Sequence, residues 1–572
     1  MSNRLTDSSS IYRVGGIRRF FWGLHGSDTG TESLANSIGF DWFSFVRPLL
    51  LFCLAMAATS LFIYASTLGG RLSFGVPLYD DVSYFRDALE RQVILRDQGI
   101  FALASYHFQA PPHSAWASYL ALLGFALFGT NWWAPYAMNS IVLFIALLII
   151  DNLTRTCAWF FRLGLSLLFL SIPVASLIVV DFRPDAFCAL LTAAGIVRLA
   201  MARLHEMVRR QSIAIGFFWG AAICVKPTLF AQTSLFYVGA IVLSGLYDGW
   251  SLGQFPKRSC WNAMVCTVTA TILSFPILGI QFPYYIEYMS EHIFGQNRHI
   301  WGLKGSLQDH LQFYIFGWAA DYTIGSFNLI LCVLLSSLSV AWWKGQTRLL
   351  QLLAWLAVFT GMCWLPPTLN EVKSAYFGLA FVFLVLFAMI RALAAWLNNE
   401  YNLYRPLSIA VGCCLFGLVF YNSNFLKSST YITPHPGDVS PVIGAVHEKI
   451  RSFVHANPDG IVMLPTVGFM NVDVLKYYCR VYGLVPPKFV SECLSSDLAK
   501  HLEGLESAGL VIIPEKGSQM MGINMPHYLI HDELLETIDR DPRFQLTDSI
   551  GDASESCVRI YARQPKERLA SK

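Results

Sequence analysis

Eleven apolar runs dominate this 572-residue sequence, and they limit what it can fold into. They fall near 48–66, 135–150, 165–180, 186–202, 213–225, 229–246, 261–280, 324–342, 349–365, 375–390 and 407–421. A helix of about 20 apolar residues crosses the ~30 Å hydrocarbon layer of a bilayer. The chain is 55% hydrophobic and 14% charged, more apolar surface than water-facing side chains could cover, so lipid is the solvent for most of it. The pattern predicts an α-helical polytopic membrane protein with about eleven spans. Residues 213–225 are short for a span, and Pro227 breaks the pattern after them. Residues 116–128 are also short, and they read as a helix lying in the interface.

Lys and Arg collect in loops on the cytoplasmic side. Arg155 with Arg162, Arg203 with Arg209 and Arg210, Lys257 with Arg258, Lys344 with Arg348, and Arg391 with Arg405 all fall on one side of an eleven-span chain. The Arg-bearing N-terminal segment, 1–47, shares that side and shows no cleavable signal pattern. The opposite, outer side takes the loops 69–131 and 281–323, the turns after the third and ninth runs, and everything beyond residue 422. A transmembrane domain over 48–422 and a soluble extracytoplasmic domain over 423–572 follow. The latter alternates expected strands (461–464, 510–514, 558–562) with expected helices (440–455, 472–482, 497–508), which suggests a small α/β domain.

The net charge of +3 gives no reason to expect a nucleic-acid partner. The 13 cysteines lie mostly within apolar runs, with no zinc-like spacing. Cys479 and Cys493 could pair if their domain faces an oxidising compartment.

The first run is followed by PLYDDVSYFRDALERQ, with Asp80 and Asp81 adjacent at a bilayer surface. Val82, Phe85, Leu89 and Val93 then recur at helical spacing until Gly99, so the acids open an amphipathic helix along the outer interface. One aspartate would serve as an N-cap. A second is unexplained by capping, and acids beside a membrane are functional candidates. DFRPDAF places Asp181, Arg183 and Asp185 in a tight turn between two runs; a solvated hairpin with an internal ion pair would also look like this. His113 follows Pro111-Pro112 and could bind phosphate or cap a helix. Cations expected on the same face are Lys226, Lys373 in NEVKSAY ahead of Tyr376, and Arg298, His299, Lys304 and His310 in the large loop. A lone lysine at a span end often only snorkels. Cations gathered on the acid-bearing face suit an anionic lipid headgroup.

At these residues the chain resembles the GT-C class of membrane glycosyltransferases, and within it the lipid A aminoarabinose transferases and protein O-mannosyltransferases. The matching elements are a first span, an acidic pair followed by Tyr84, a Pro-Pro step at 111–112, a Phe128-Gly129 turn, a second acid at Asp181 or Asp185, and later lysines at Lys226 and Lys373. Relatives often carry Lys before the Pro-Pro step and Glu as second acid, where this chain has Ala110 and Asp81. The resemblance implies an inverting glycosyltransferase of the cell envelope, in a bacterial inner membrane. Its donor would be a polyprenyl-phosphate sugar and its acceptor a hydroxyl of a lipid, glycan or protein. Asp80, or less readily Asp81, would be the base. Asp181 or Asp185 would orient acceptor, base or a divalent metal ion, since members of the class differ in metal need. Tyr84, His113, Arg183, Lys226, Arg298, His299, Lys373 and Tyr376 are the expected substrate-binding residues. The alternative is a transporter or flippase of a lipid-linked saccharide, which would place its key acids nearer the midplane.

Overall fold

The computed structural model describes residues 42–69, 71–77, 80–110, 113–290, 295, 305–325, 327–401, 403–422, 439–457, 460–463, 470–490, 497–515, 530–551 and 557–565. Each expected apolar run falls largely on helix, with a break inside 165–180. In chain order the helices are α1 (Trp42–Gly69), α2 (Asp80–Gln98), α3 (Ile100–Gln109), α4 (Ala115–Phe128), α5 (Ala134–Met138), α6 (Ser140–Leu153), α7 (Trp159–Leu170), α8 (Pro173–Val180) and α9 (Pro184–Met201). There follow α10 (Arg209–Val225), α11 (Phe230–Leu252), α12 (Lys257–Met289), α13 (Leu307–Gln312), α14 (Trp318–Thr323), α15 (Phe327–Trp343), α16 (Thr347–Leu369), α17 (Leu379–Leu397) and α18 (Arg405–Asn422). Among the described residues seven helical segments are long and apolar enough to cross a membrane. The other expected spans are the α7–α8 pair and α10, α15 and α18, of 17 or 18 residues.

Two expectations are corrected. The run 165–180 is not one helix: α7 and α8 meet at 66°. Pro173 opens α8 and cannot donate the amide that a continuous helix needs there. The outer loop expected from residue 281 begins later, because α12 continues to Met289 with Pro276 and Pro283 inside it.

The spans differ in what they face. The windows over Pro184–Met201 and Ala375–Leu397 are 89% buried, while that over Lys257–Gly279 is 22% buried and turns its apolar side chains outward. Helix α10 packs closely on α12 because Gly216 and Gly220 stand one turn apart on the contact face; a Cβ on Gly220 would lie 2.8 Å from the Ala270 carbonyl.

The basic loops meet at one end of the bundle. Arg47 and Arg162 both bind Asp151, at 2.8 Å and 2.6 Å. Arg391 pairs with Glu400, which also accepts from Thr156, and Arg258 donates to the Met207 carbonyl.

Beyond α18 lies a five-stranded sheet in the order β2-β1-β3-β5-β4. Its strands are β1 (Ile461–Met463), β2 (Lys488–Val490), β3 (Leu510–Pro514), β4 (Phe544–Ile550) and β5 (Val558–Arg563). The first three are mutually parallel, and β5 runs antiparallel to both β3 and β4. Its helices are α19 (Ser440–Ala456), α20 (Val472–Val481), α21 (Leu498–Ser507) and α22 (His531–Arg540). Strand β3 is buried on both faces. Leu510 and Ile512 join the core that runs into the helical bundle, and Val511 and Ile513 join a second core with Leu505, Leu534 and Ile538. β2, β4 and α22 were not expected. β2 has only three residues, and β4 exposes most of its side chains, so neither leaves a strong apolar signal.

Candidate functional site

The geometry of the site begins with α2. Its predicted apolar stripe holds for Val82, Phe85 and Leu89, which are buried, whereas Val93 is exposed. The helix ends at Gln98, and Gly99 takes a φ of 85° that a side chain would disfavour. Arg91, fully buried, fixes the middle of α2. It binds Asp87 one turn back at 2.7 Å, donates to the Ala110 carbonyl, and lies over the rings of Tyr106 and Tyr119. In the second turn Phe85 enters an aromatic cluster with Phe125, Tyr136 and Phe182, at centroid distances of 5.1–5.8 Å. Phe182 is the buried centre of the DFRPDAF turn. This cluster is what holds the two acidic segments, a hundred residues apart in sequence, against each other.

The two carboxylates at the head of α2 have different surroundings. Asp80 keeps 53% of its side chain exposed and pairs with Arg183 at 3.1 Å. Asp81 is fully buried and accepts a 2.7 Å hydrogen bond from the Tyr136 hydroxyl. Arg183 is extended, as the residue ahead of Pro184 is biased to be, and so reaches out of its turn. Its guanidinium lies between Asp80 and Asp181, 3.4 Å from the latter, and stacks over the ring of Tyr376 at 4.4 Å. The Tyr376 hydroxyl donates to Asp181. Asp80, Arg183, Asp181 and Tyr376 therefore form one connected chain of charge.

A second chain lies beside it. Asp185, in the first turn of α9, sits 3.4 Å from the Lys226 ammonium, and both are buried. Lys226 in turn lies 3.1 Å from Nε2 of His113. The neighbouring Ser114 hydroxyl donates to the Val225 carbonyl at 2.7 Å, which brings these two segments together. Tyr84 links the chains, with its ring 6.3 Å from His113 and 6.5 Å from Phe182.

Of the twelve predicted site residues, nine meet here: Asp80, Asp81, Tyr84, His113, Asp181, Arg183, Asp185, Lys226 and Tyr376. Lys373 does not join them. Its ammonium donates to the carbonyls of Pro367 and Thr368, at 2.8 and 2.6 Å, in its own turn. Burial lowers its pKa to about 8. Arg298, His299 and Lys304 lie outside the described residues, as does Cys493; Cys479 is buried in α20, and His310 lies in the last turn of α13. The site residues that sequence reasoning missed are Tyr136 and Phe182. Each reads as ordinary apolar filler until the fold sets it beside an acid. Among the described residues no three His, Cys, Asp or Glu side chains converge as a metal-ligand set.

The fold over most of the chain has a solved counterpart. The crystal structure of ArnT from Cupriavidus metallidurans bound to undecaprenyl phosphate superposes with a TM-score of 0.51 at 12% identity, over 91% of this chain and 98% of that one. The chain has the GT-C fold. The same ArnT in its apo state gives a TM-score of 0.48 at 13% identity, over 91% and 98% of the two chains. The arabinofuranosyltransferase AftD from Mycobacteria gives 0.49 at 12% identity, over 90% of this chain and 40% of its own. No protein-family model matches the sequence, and no curated protein does.

Proposed function

We propose that this chain is an integral-membrane inverting glycosyltransferase. It moves a sugar from a polyprenyl-phosphate donor to a hydroxyl acceptor on the outer face of the membrane, where its C-terminal domain also lies. The observation that carries the reading is the meeting of Asp80, Arg183, Asp181, Asp185, Lys226 and His113 at one end of a GT-C fold. ArnT, with the same fold, was solved with undecaprenyl phosphate bound.

The chemistry fits the residues. A lipid phosphate leaves as a stable anion and needs no acid. Transfer then needs a base for the acceptor hydroxyl and positive charge for the departing phosphate. Asp80 is the base: of the adjacent pair it is the carboxylate that reaches solvent. It takes the hydroxyl proton as the acceptor oxygen bonds to the anomeric carbon and the bond to phosphate oxygen breaks, which inverts that carbon. Arg183 and Lys226 receive the phosphate. At rest Arg183 neutralises Asp80, and a donor phosphate competing for the guanidinium releases that carboxylate for its role as base. Asp181 and Tyr376 hold Arg183 in place, and Asp81, bonded to Tyr136, fixes the start of α2. A transporter would set its acids near the bilayer midplane. Here Asp181 caps the end of α8 and Asp185 lies in the first turn of α9.

The test incubates purified protein with a polyprenyl-phosphate-linked sugar and a crude envelope acceptor, and follows sugar leaving the lipid. The wild-type chain releases sugar. Asp80→Asn folds and binds donor, while transfer collapses. Failure of the wild-type chain to move sugar, with lipid-linked saccharide crossing vesicles instead, would establish the flippase.

A further inference from the structure

Helix α20 of the C-terminal domain lies along α2 in the same direction, and three successive rungs join them. Asp473, in the first turn of α20, accepts from Arg86 and, at 3.2 Å, from the Ser83 hydroxyl. Tyr477, one turn on, is buried with its ring 6.2 Å from Phe85. Arg480, a further turn on, stands 3.9 Å from Glu90. The first rung grips α2 at Ser83 and Arg86, within two turns of the acidic pair. The second touches the same Phe85 that binds Tyr136 and Phe182.

We propose that Asp473 is a positioning residue for transfer: through Arg86 and Ser83 it fixes the helix that carries Asp80 and Asp81. This rests on the glycosyl-transfer reading. Asp473 reaches no reacting atom. Its effect passes through the tilt and rotation of α2, which set where the Asp80 carboxylate stands relative to the acceptor hydroxyl. Near-attack geometry is sensitive to such shifts, and a displacement of about 1 Å can cost ~10²-fold in rate. The donor's phosphate is held by Arg183 and Lys226, on other segments, so donor affinity does not depend on this contact. The Arg86 and Asp473 side chains are 28% and 38% exposed, so the rung can be opened without leaving a buried charge.

The experiment compares full-length wild type, Asp473→Asn and the charge-swapped double variant Arg86→Asp/Asp473→Arg. In Asp473→Asn, kcat falls about 10- to 100-fold while KM for the lipid-linked sugar stays within about twofold. Amide hydrogen exchange over the first turns of α2 speeds up, and that over α17 does not. The double variant recovers most of kcat, and the melting curve of Asp473→Asn stays at the wild-type position, which a loss of fold stability would not predict. Wild-type kcat in Asp473→Asn, or a loss the double variant fails to recover, overturns the proposal. If the wild-type chain moves no sugar, the transfer reading fails by itself. The docking claim is still decided by exchange, and unchanged protection of α2 in Asp473→Asn overturns it.

Discussion

The two ends of the helical bundle both carry buried carboxylates, and they use them differently. At the end where the basic loops meet, Asp248 is 1% exposed. It is 2.9 Å from the His205 imidazole, accepts from the His205 amide, and takes a 2.7 Å bond from the Ser259 hydroxyl. Asn262 closes the same loop by donating to the carbonyls of Leu204 and Met207. All of these groups belong to α11, the start of α12 and the loop packed on them. At the other end, charged and hydroxyl groups arrive from five separated segments around residues 80, 113, 181–185, 226 and 376, and one carboxylate is left half in solvent. A local carboxylate that ties one loop is a staple. Carboxylates and cations gathered from distant segments, with one of them reachable, form a place where a charged substrate can be bound.

The largest effect that would sharpen this contrast is on stability at the staple. Asp248→Ala removes a buried anion and strands its partners, so it should cost about 2–4 kcal/mol. Thermal unfolding in detergent should fall by several degrees while the surviving folded protein transfers sugar at the wild-type kcat. A large kcat loss with an unchanged melting curve would break the comparison.

Next in size, Lys226→Ala should weaken donor binding by about tenfold, a loss of some 1.4 kcal/mol of charge-assisted contact to phosphate. Its kcat at saturating donor should change less. Titration of the variant with a polyprenyl phosphate checks this, and wild-type affinity would remove Lys226 from the site.

The smallest effect is a pH dependence outside the cluster. Burial holds the Lys373 ammonium at about 8, below the ordinary lysine value near 10.4. Lys373 is charged below that pH and neutral above it. If its charge contributes to the field that draws the donor phosphate, KM should rise a few-fold as pH climbs from 7 to 9, and Lys373→Met should flatten the curve. A rise that survives Lys373→Met would leave Lys373 as a lysine that only closes its own turn.

The membrane part was largely legible in the sequence because apolar length is a direct physical signal. The expected runs fall on helices, and among the described residues seven helical segments are long and apolar enough to cross a membrane. The break at Pro173 was missed because residues on both sides of it are equally apolar. The acids were legible too, since Asp80, Asp81, Asp181 and Asp185 interrupt apolar sequence. Their pairing was not. Nothing in DFRPDAF says that Arg183 bridges to α2, because that depends on how Phe182 packs against Phe85. Lys373 and Tyr376 show the same limit from the other side. They are three residues apart at one span end, yet only the tyrosine meets an acid. The contact of α20 with α2 was equally invisible, since Asp473 in its own sequence reads as a first-turn acid and no more.

Single-turnover transfer with preloaded donor, in Asp80→Asn and Asp81→Asn side by side, tests most directly whether Asp80 is the base. Asparagine keeps size and capping ability and removes the proton acceptor. Asp80→Asn should slow the chemical step by about 10²–10⁴-fold with donor still bound. Asp81→Asn, whose carboxylate is buried against Tyr136, should lose less. Transfer at the wild-type rate by well-folded Asp80→Asn, with Asp81→Asn inactive, would contradict the assignment and move the base one residue along the chain.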